Sequence, residues 1–289
     1  MFSKMNTERI AVGLQGLGQA EIAYQNALAY SKDRIQGRDL KGARNPDDEA
    51  DPLIVHPDVR RMLMRSKSLI DSGRMLACWT ALAIDRYEKD PDPKVRKENN
   101  DLVELMTPII KALLTDYGVE ITSEMLQIFG GHGYIKEYGM EQFYRDVRIA
   151  PIWEGTNGIQ ALDLAGRKMP QHMGRLLRRF FHPALNFIEN NKDDEELKEF
   201  IEPFAKALKG LQKTSMYMAQ KGLSNPYEIG AAATDYLRQF GLVAMGYMWL
   251  LMLEVAFAKK DVDSYYEHKI ITARFFFERI LPETLSRAI

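Results

Sequence analysis

Apolar residues recur at helical spacing along most of the chain. In three long segments, Ile10–Tyr30, Val59–Tyr87 and Lys94–Phe129, apolar side chains return every three or four residues. This spacing places them on one face of an α-helix, whereas the alternation of a half-buried strand is hard to find. The pattern therefore predicts an all-α fold.

Polar segments rich in glycine or proline mark where these helices end. Asp39–Pro57 is rich in Gly, Asn, Asp and Pro, and Asp90–Pro93 alternates aspartate with proline. The third segment runs into Gly130–Gly133, a short polar helix is predicted through Tyr144–Asp146, and a fifth helix over Gly158–Lys168. Long helices joined by such turns indicate a helical bundle.

The composition changes near residue 170. Met169 and Pro170 end the fifth helix, and the chain is dense in charge over Asn190–Lys198. Three further helices are predicted over Ile201–Leu223, Pro226–Lys260 and Asp261–Ala288. We therefore expect a first domain over 1–169 and an appended helical domain over 170–289.

Charge and cysteine content narrow the class of protein. The chain of 289 residues has 39 basic and 40 acidic residues and a formal net charge of −1. This balance gives no electrostatic reason to expect a nucleic-acid partner. The single cysteine, Cys78, excludes an intramolecular disulfide and, because it lies in an apolar run, is predicted to be buried.

No segment is predicted to direct the chain into a membrane. The first residues lack the charged and then apolar order of a signal peptide. The most apolar window, Phe240–Ala258, approaches the length of a membrane span but contains Gly241, Gly246 and Glu254. We interpret it as a core helix, and we expect a cytoplasmic protein without a transmembrane span.

One segment places a carboxylate between a large aromatic residue and a flexible turn. In Ile149–Gln160, Glu154 follows Trp153 and precedes Gly155 and Thr156 on a short loop that opens into a helix. Burial against an indole makes a carboxylate hold a proton more tightly, which suits a general base. The simpler interpretation is that Glu154 occupies the first turn of a helix, where its charge favours the positive end of the helix dipole.

A second segment, Gln127–Tyr134, has three glycines in four residues at the end of a helix. Without Cβ atoms, such a backbone lets its N–H groups approach an anion such as a pyrophosphate. A glycine C-cap followed by a turn explains the same pattern. His132 lies here, but the five histidines show no ligand spacing and Cys78 is remote, so no metal site is predicted.

Several motifs occur in a characteristic order. QIFGGHGY, RDVRI, WEGTNGIQ and AGRK resemble the C-terminal helical domain of acyl-CoA dehydrogenases, and this resemblance covers about residues 1–169. Asn6–Arg9 before a glycine-rich helix and Tyr30–Arg34 at its end agree with it. GLQGLG, PLIVHPDVRRML and FGLVAMGYMWL are similar to the branch with an extra C-terminal helical domain. The resemblance implies an FAD-dependent enzyme that converts an acyl-CoA thioester to the trans-2-enoyl-CoA.

The resemblance assigns roles around Glu154. This residue matches the catalytic base, which removes the α-proton of the thioester while a hydride leaves the β-carbon for the flavin. In the family, the backbone N–H of the base helps to polarise the thioester carbonyl. Gly155 then lets the thioester lie close, Arg9 and Trp153 belong to the substrate side, and Thr156 matches a flavin contact.

The resemblance also implies contacts to FAD bound by a neighbouring subunit, and therefore a homo-oligomer. The residues that match the cofactor-binding positions, besides Thr156, are Arg34, His56, Gln127, Gly130 and Gly131. Electrons are expected to pass from the flavin to an electron-transfer flavoprotein.

Among the departures from the family pattern, two concern the catalytic base and the cofactor site. Some relatives carry the base on the first helix, at the position of Glu8; this chain has both carboxylates, and its intact E-G-T step favours Glu154. The family's N-terminal helical domain and β-rich middle domain are also missing from these residues. Met1 is therefore expected to be an internal position of a longer enzyme or the start of a truncated product. We expect the isolated chain to bind FAD weakly or not at all, because the middle domain carries much of the flavin site.

Two other classes of function remain open on the sequence. A helical scaffold or assembly domain without catalysis fits the missing domains and the appended region. An acyl-CoA oxidase or flavin monooxygenase relative fits the same bundle, although the E-G-T step argues against the monooxygenase. Bleaching of the flavin by substrate distinguishes an enzyme from a scaffold, and release of peroxide distinguishes an oxidase from a dehydrogenase.

Overall fold

The helices form where the apolar pattern predicts them in the first half of the chain. The computed structural model describes residues 2–287, and the side chains of 5–222 and 224–287. Over this part of the chain the α-helices are α1 (Phe2–Asp33), α2 (Pro57–Lys89), α3 (Pro93–Ile128), α4 (Gly131–Tyr134), α5 (Met140–Val147), α6 (Asn157–Leu162), α7 (Arg175–Asn190), α8 (Lys198–Ser224), α9 (Pro226–Lys259), α10 (Ser264–Phe275) and α11 (Glu283–Ser286). Apart from an isolated bridge between Ile35 and Pro52, residues 2–287 contain no β-structure, which confirms the all-α prediction.

The prolines and aspartates that the sequence marks as breakers set the starts of several helices. Pro57, Pro93 and Pro226 are the first residues of α2, α3 and α9, where a missing N–H leaves no hydrogen bond unmade. Asp92 caps α3, because its side chain accepts a hydrogen bond from the N–H of Lys94 at 2.7 Å. The predicted ends of α2 and α3 are therefore confirmed to within one or two residues.

α1 and α3 pack parallel to each other, with their backbones in close contact. Gly16 of α1 lies against the backbone of Leu114 in α3, and Tyr30 near the end of α1 stacks on Phe129 at the end of α3. The later residue of α1 contacts the later residue of α3, so the two helices run in the same direction. α2 packs against both helices and completes the first layer of the bundle.

The second half differs from the prediction at two places. Arg175–Asn190 forms α7, an amphipathic helix that the sequence analysis did not recognise before the charged segment. The prediction of one last helix over Asp261–Ala288 is wrong, because the chain forms α10, then a π-helical turn over Phe276–Ile280, then α11. Pro282 lies between the π-helical turn and α11, and because it lacks an N–H it cannot continue the hydrogen bonding of a helix. Ala288 lies outside the described residues.

One hydrophobic core runs through both halves, with α9 at its centre. Tyr236, Phe240 and Trp249 of α9 are buried, and α9 packs against α2, α3, α6 and α8. By length and composition α9 is the one helix of the described part that could cross a membrane, but 72% of its most apolar window is buried inside the protein. Core packing therefore accounts for its hydrophobicity. The domain boundary at residue 169 stays a prediction.

The prediction for Cys78 is wrong. Its side chain is exposed on α2, whereas its neighbours Leu76 and Ala77 are buried. A helix turns by about 100° per residue, so Cys78 points away from the side of α2 that faces the core, although the surrounding sequence is apolar.

Candidate functional site

The predicted base lies in a tight turn between α5 and α6, which we call the Glu154 turn (residues 149–157). The turn is closed by backbone hydrogen bonds from Trp153 N to Ile149 O (3.2 Å) and from Asn157 N to Pro151 O (3.0 Å). Thr156 caps α6, with its side chain accepting from the N–H of Ile159. The first-turn interpretation is wrong, because Glu154 lies two residues before this cap and α6 has no acidic residue in its first turn.

The backbone of the Glu154 turn is strained at the candidate base itself. Glu154 has φ +52°, and Gly155, which follows, has φ +86°. A left-handed conformation costs a residue with a side chain about 1–2 kcal/mol. Strain of this kind persists only where the surrounding structure imposes it, and it concentrates at functional sites.

Two side chains from other parts of the chain bind the carbonyl groups of this turn. Arg9 of α1 donates from Nε to the Glu154 carbonyl at 3.4 Å, and the buried Gln160 donates to the carbonyls of Glu154 (3.4 Å) and Gly155 (3.2 Å). A Cβ on Gly155 would lie 2.7 Å from Nε2 of Gln160, so this contact requires glycine. The structure therefore brings Arg9 together with Glu154, Gly155 and Thr156, although Arg9 and Glu154 are 145 positions apart in sequence.

The carboxylate of Glu154 is less enclosed than the sequence predicts. Glu154 is exposed, and Trp153 retains 42% exposure, so the indole does not bury the carboxylate within this chain. Glu8, the alternative base, is also exposed and precedes Arg9 on α1. The described structure therefore leaves both carboxylates on the surface, and the assignment of the base stays a prediction.

A buried lysine that the sequence analysis did not single out supports the turn from below. Lys111 of α3 is fully buried, and its Nζ donates to Oδ1 of Asn157 at 2.8 Å. The amide of Asn157 in turn donates to Asp116 (2.7 Å), to the hydroxyl of Thr115 (2.9 Å) and to a carbonyl of α3. The signal in the sequence was a lysine inside the apolar run PIIKALL, since lysine is rarely buried without a specific partner.

Burial makes the charged form of this lysine costly. Loss of hydration lowers the pKa of Lys111 to about 8, and the positive charge of Arg9 acts in the same direction, whereas Asp116 and Glu154 oppose it. Loss of hydration also raises the pKa of Asp116, despite the hydrogen bond from Asn157. A buried lysine with a carboxylate nearby but no direct ion pair is a feature of sites where charge has a function.

We predict that Lys111→Met raises the free energy of unfolding at neutral pH and flattens its pH dependence. The folded pKa of about 8 lies below the unfolded value of 10.5, so the unfolded state binds more protons between these pH values. The loss of stability caused by burying Lys111 has its full size below pH 8 and disappears as the pH rises towards 10.5. Wild-type stability therefore rises across this window in urea unfolding. A rise of the same size in Lys111→Met contradicts the prediction.

The predicted flavin contacts lie at the opposite end of α1, around a group of aromatic rings. Tyr30 stacks on Phe129 with 4.0 Å between ring centroids, and its hydroxyl lies 2.8 Å from Nδ1 of His132. These contacts join the end of α1, where Arg34 is exposed, to the end of α3, where Gln127 is exposed. We call Arg34, Gln127, Gly130 and Gly131 the glycine-turn group.

The glycines of this group leave the surface open. Gly130 has φ +58°, which favours glycine, but Gly131 begins α4 without a positive φ. A Cβ at either position would meet no atom within 4 Å. Nothing in the described part of the chain therefore requires glycine at 131, and its bare backbone fits the close approach of an external group such as a cofactor.

His56 has a different environment. Its Nε2 lies 2.7 Å from the carbonyl of Gln36, and a Cβ on Gly37 would lie 3.2 Å from its ring. The ring therefore braces the loop between α1 and α2, and a flavin contact of His56 stays a prediction.

The two groups cannot serve one small ligand within a single chain. Arg9 and Asp33 are 24 positions apart on α1, which at a rise of 1.5 Å per residue places them about 36 Å apart. Within residues 2–287, no group of three or more His, Cys, Asp or Glu side chains could hold a metal ion.

Comparison with known families agrees with the motifs. Residues 1–169 match the family described as acyl-CoA dehydrogenase, C-terminal domain. The chain belongs to the acyl-CoA dehydrogenase family. Residues 180–289 match a second family, described as acetyl-CoA dehydrogenase C-terminal like, which agrees with the resemblance to the branch with an extra helical domain.

Individual relatives extend over almost the whole chain. It is 38% identical over 287 residues to a 3-methylmercaptopropionyl-CoA dehydrogenase of Ruegeria pomeroyi, covering 98% of this chain and 48% of the relative. It is 30% identical over 300 residues to a broad-specificity linear acyl-CoA dehydrogenase of Mycobacterium tuberculosis, with coverage of 98% and 48%. The chain thus spans about half the length of the curated relatives it matches.

A solved structure shows the same fold. The acyl-CoA dehydrogenase of Bacillus anthracis, crystallised with FAD, superposes with a TM-score of 0.78 at 21% identity, covering 99% of this chain and 48% of that one. At this identity the likeness concerns the arrangement of helices, including the second half, and not the roles of individual residues.

Proposed function

We propose that this chain supplies the C-terminal portion of an FAD-dependent acyl-CoA dehydrogenase. The enzyme removes two hydrogens from an acyl-CoA thioester to give the trans-2-enoyl-CoA. The α-proton passes to the carboxylate of Glu154, and FAD accepts the hydride from the β-carbon. The observation that carries this proposal is the strained, exposed Glu154 turn in a chain of this family.

The geometry of the turn supports a second role for its backbone. Within residues 2–287, the N–H of Glu154 donates to no backbone carbonyl. A free N–H in a rigid turn suits the oxygen of a thioester carbonyl, which gains negative charge as the α-proton leaves. Arg9 and Gln160 hold the carbonyl of the same residue, which belongs to the next peptide group, and so restrict the backbone on one side of this N–H. We further propose that Gly155 and Trp153 contact the substrate and that Thr156 contacts the flavin.

The glycine-turn group supports the binding of FAD across a subunit interface. It lies about 36 Å from Glu154 along α1, so the two groups of one chain would contact different FAD molecules. A homo-oligomer resolves this separation, because one subunit then provides Glu154 and another provides Arg34, Gln127 and Gly131. We further propose electron-transfer flavoprotein as the electron acceptor and a cytoplasmic location.

We predict that the isolated chain purifies colourless, and that the chain joined to the upstream region of its relatives purifies yellow. Within this chain the glycine-turn group is exposed, and none of five surface cavities is lined by Glu154, Arg34 or Gln127. An exposed half-site loses most of its affinity, because it does not exclude water. Absorbance of bound flavin gives the stoichiometry, and one flavin per isolated chain contradicts the prediction.

A matched variant tests the cofactor group in the same experiment. Gly131→Leu is expected to leave the unfolding of the isolated chain unchanged, since nothing lies near its Cβ position. In the joined enzyme it is expected to reduce bound flavin, because the side chain fills the open surface. Bleaching of the flavin by an acyl-CoA without oxygen uptake supports the dehydrogenase. Release of peroxide supports an oxidase instead, and the absence of bleaching supports a scaffold without catalysis.

A further inference from the structure

We propose that Lys111 is a positioning residue that acts through Asn157 to hold the Glu154 turn in its strained conformation. The proposal rests on the proposed function of Glu154 for its catalytic consequence, but the structural coupling can be measured without it. Lys111 touches neither the predicted base nor the exposed surface. Its influence on the turn passes through the side chain of Asn157, three residues after Glu154.

Asn157 is the point where the Glu154 turn is fixed to the bundle. Its backbone N–H closes the turn on Pro151 at 3.0 Å, while its side chain faces inward and binds α3. The Oδ1 atom accepts from Lys111 (2.8 Å) and from the hydroxyl of Thr115 (3.3 Å), and Nδ2 donates to three acceptors on α3. One residue therefore connects the strained segment to the most buried helix of the first half.

The charge of Lys111 makes this contact directional. An ammonium group can only donate, so it fixes the amide of Asn157 with its oxygen towards Nζ and its NH₂ towards Asp116. A neutral amine can also accept a hydrogen bond, and this preference for one amide orientation is then weaker. The charged groups that face Lys111 are Arg9 of α1, Asp116 of α3 and Glu154 of the turn.

The appended region reaches the same network. Arg238 of α9 pairs with Glu120 at 2.8 Å and lies near Asp116, and its guanidinium covers the ring of Tyr117 at 4.1 Å. Asn157, Asp116 and Arg238 line the same small cavity. α9 thus closes the inner side of the network that supports the turn, which gives the second half of the chain a direct part in the site.

The coupling is tested on the isolated, 15N-labelled chain by NMR titration. The backbone amides of Gly155 and Asn157 are expected to shift with an inflection near pH 8. This inflection is expected to disappear in Lys111→Met. Lys168→Met is the matched control, because Lys168 is also buried but pairs with Glu104, away from the turn. An unchanged inflection in Lys111→Met, or its loss in Lys168→Met as well, overturns the proposal.

The catalytic consequence is measured in the enzyme joined to its upstream region. Lys111→Met and Asn157→Ala are each expected to lower kcat by about 10-fold with KM within about twofold, and the double variant is expected to lose no more than either one. Independent, multiplying losses overturn the action of Lys111 through Asn157. An inactive wild-type enzyme overturns the proposed function only, and the NMR titration then decides the coupling by itself.

Discussion

Glu154→Gln abolishes exchange of the substrate α-proton in the joined enzyme, whereas Glu8→Gln leaves it in place. A positioned general base contributes about 10²–10⁴-fold to the rate of proton transfer, and the amide of glutamine does not accept the proton. Glutamine keeps the size of the side chain, so the strained turn and its contacts to Arg9 and Gln160 are retained. The measurement is deuterium incorporation into an acyl-CoA in deuterated buffer.

The two carboxylates provide matched controls for each other. Glu8 and Glu154 are both exposed, and neither substitution removes a buried contact. Bound flavin and thermal unfolding are therefore expected to be equal in the two variants. Loss of exchange in Glu8→Gln with exchange retained in Glu154→Gln would place the base on α1 and refute the assignment.

Gly16→Ala destabilises the chain, whereas Gly18→Ala on the same helix stabilises it. A Cβ at position 16 would lie 2.5 Å from the carbonyl oxygen of Leu114 and 2.8 Å from the Cα of Thr115. Both atoms belong to the backbone of α3, so α1 and α3 must separate to admit one methyl group. We expect a loss of about 1–3 kcal/mol in the free energy of unfolding from overpacking.

Gly18 isolates the helix propensity from the packing. A Cβ at position 18 would meet no atom within 4 Å, so alanine gains only its better propensity, about 0.5–1 kcal/mol. Urea unfolding of the isolated chain measures both variants. A stability gain in Gly16→Ala would show that α1 and α3 are not in close contact, and it would remove the geometry that places Arg9 beside the Glu154 turn.

In the appended region, the helical spacing of apolar residues predicts α8 and α9 but not α7. α8 and α9 were predicted because each keeps a long apolar pattern with a break at Asn225–Pro226. α7 was not recognised, because its arginine-rich face lies next to the charged Asn190–Lys198 and the two read as one polar stretch. Its phenylalanines are buried against α9, a contact that only the fold provides.

The residues of the candidate site were predictable from the sequence, but their arrangement was not. Motif order led to Glu154, Arg9 and the glycine turn, although the sequence carries no measure of the distance between them. The fold placed Arg9 on the carbonyl of Glu154 and separated that contact from the glycine-turn group by most of the length of α1. Exposure of Trp153 and of Cys78 depended on which side of an element faces the core, and apolar neighbours did not reveal it.

The sequence by itself determined the helical class, the principal breaks and the family, because apolar spacing, proline and glycine act locally and motifs keep their order along the chain. Only the tertiary structure decided that Glu154 is left-handed, that Lys111 is buried beneath it and that Asn157 joins the two. Burial and hydrogen bonding depend on residues far apart in sequence. The pKa of Lys111 follows from that burial, and no local pattern contains it.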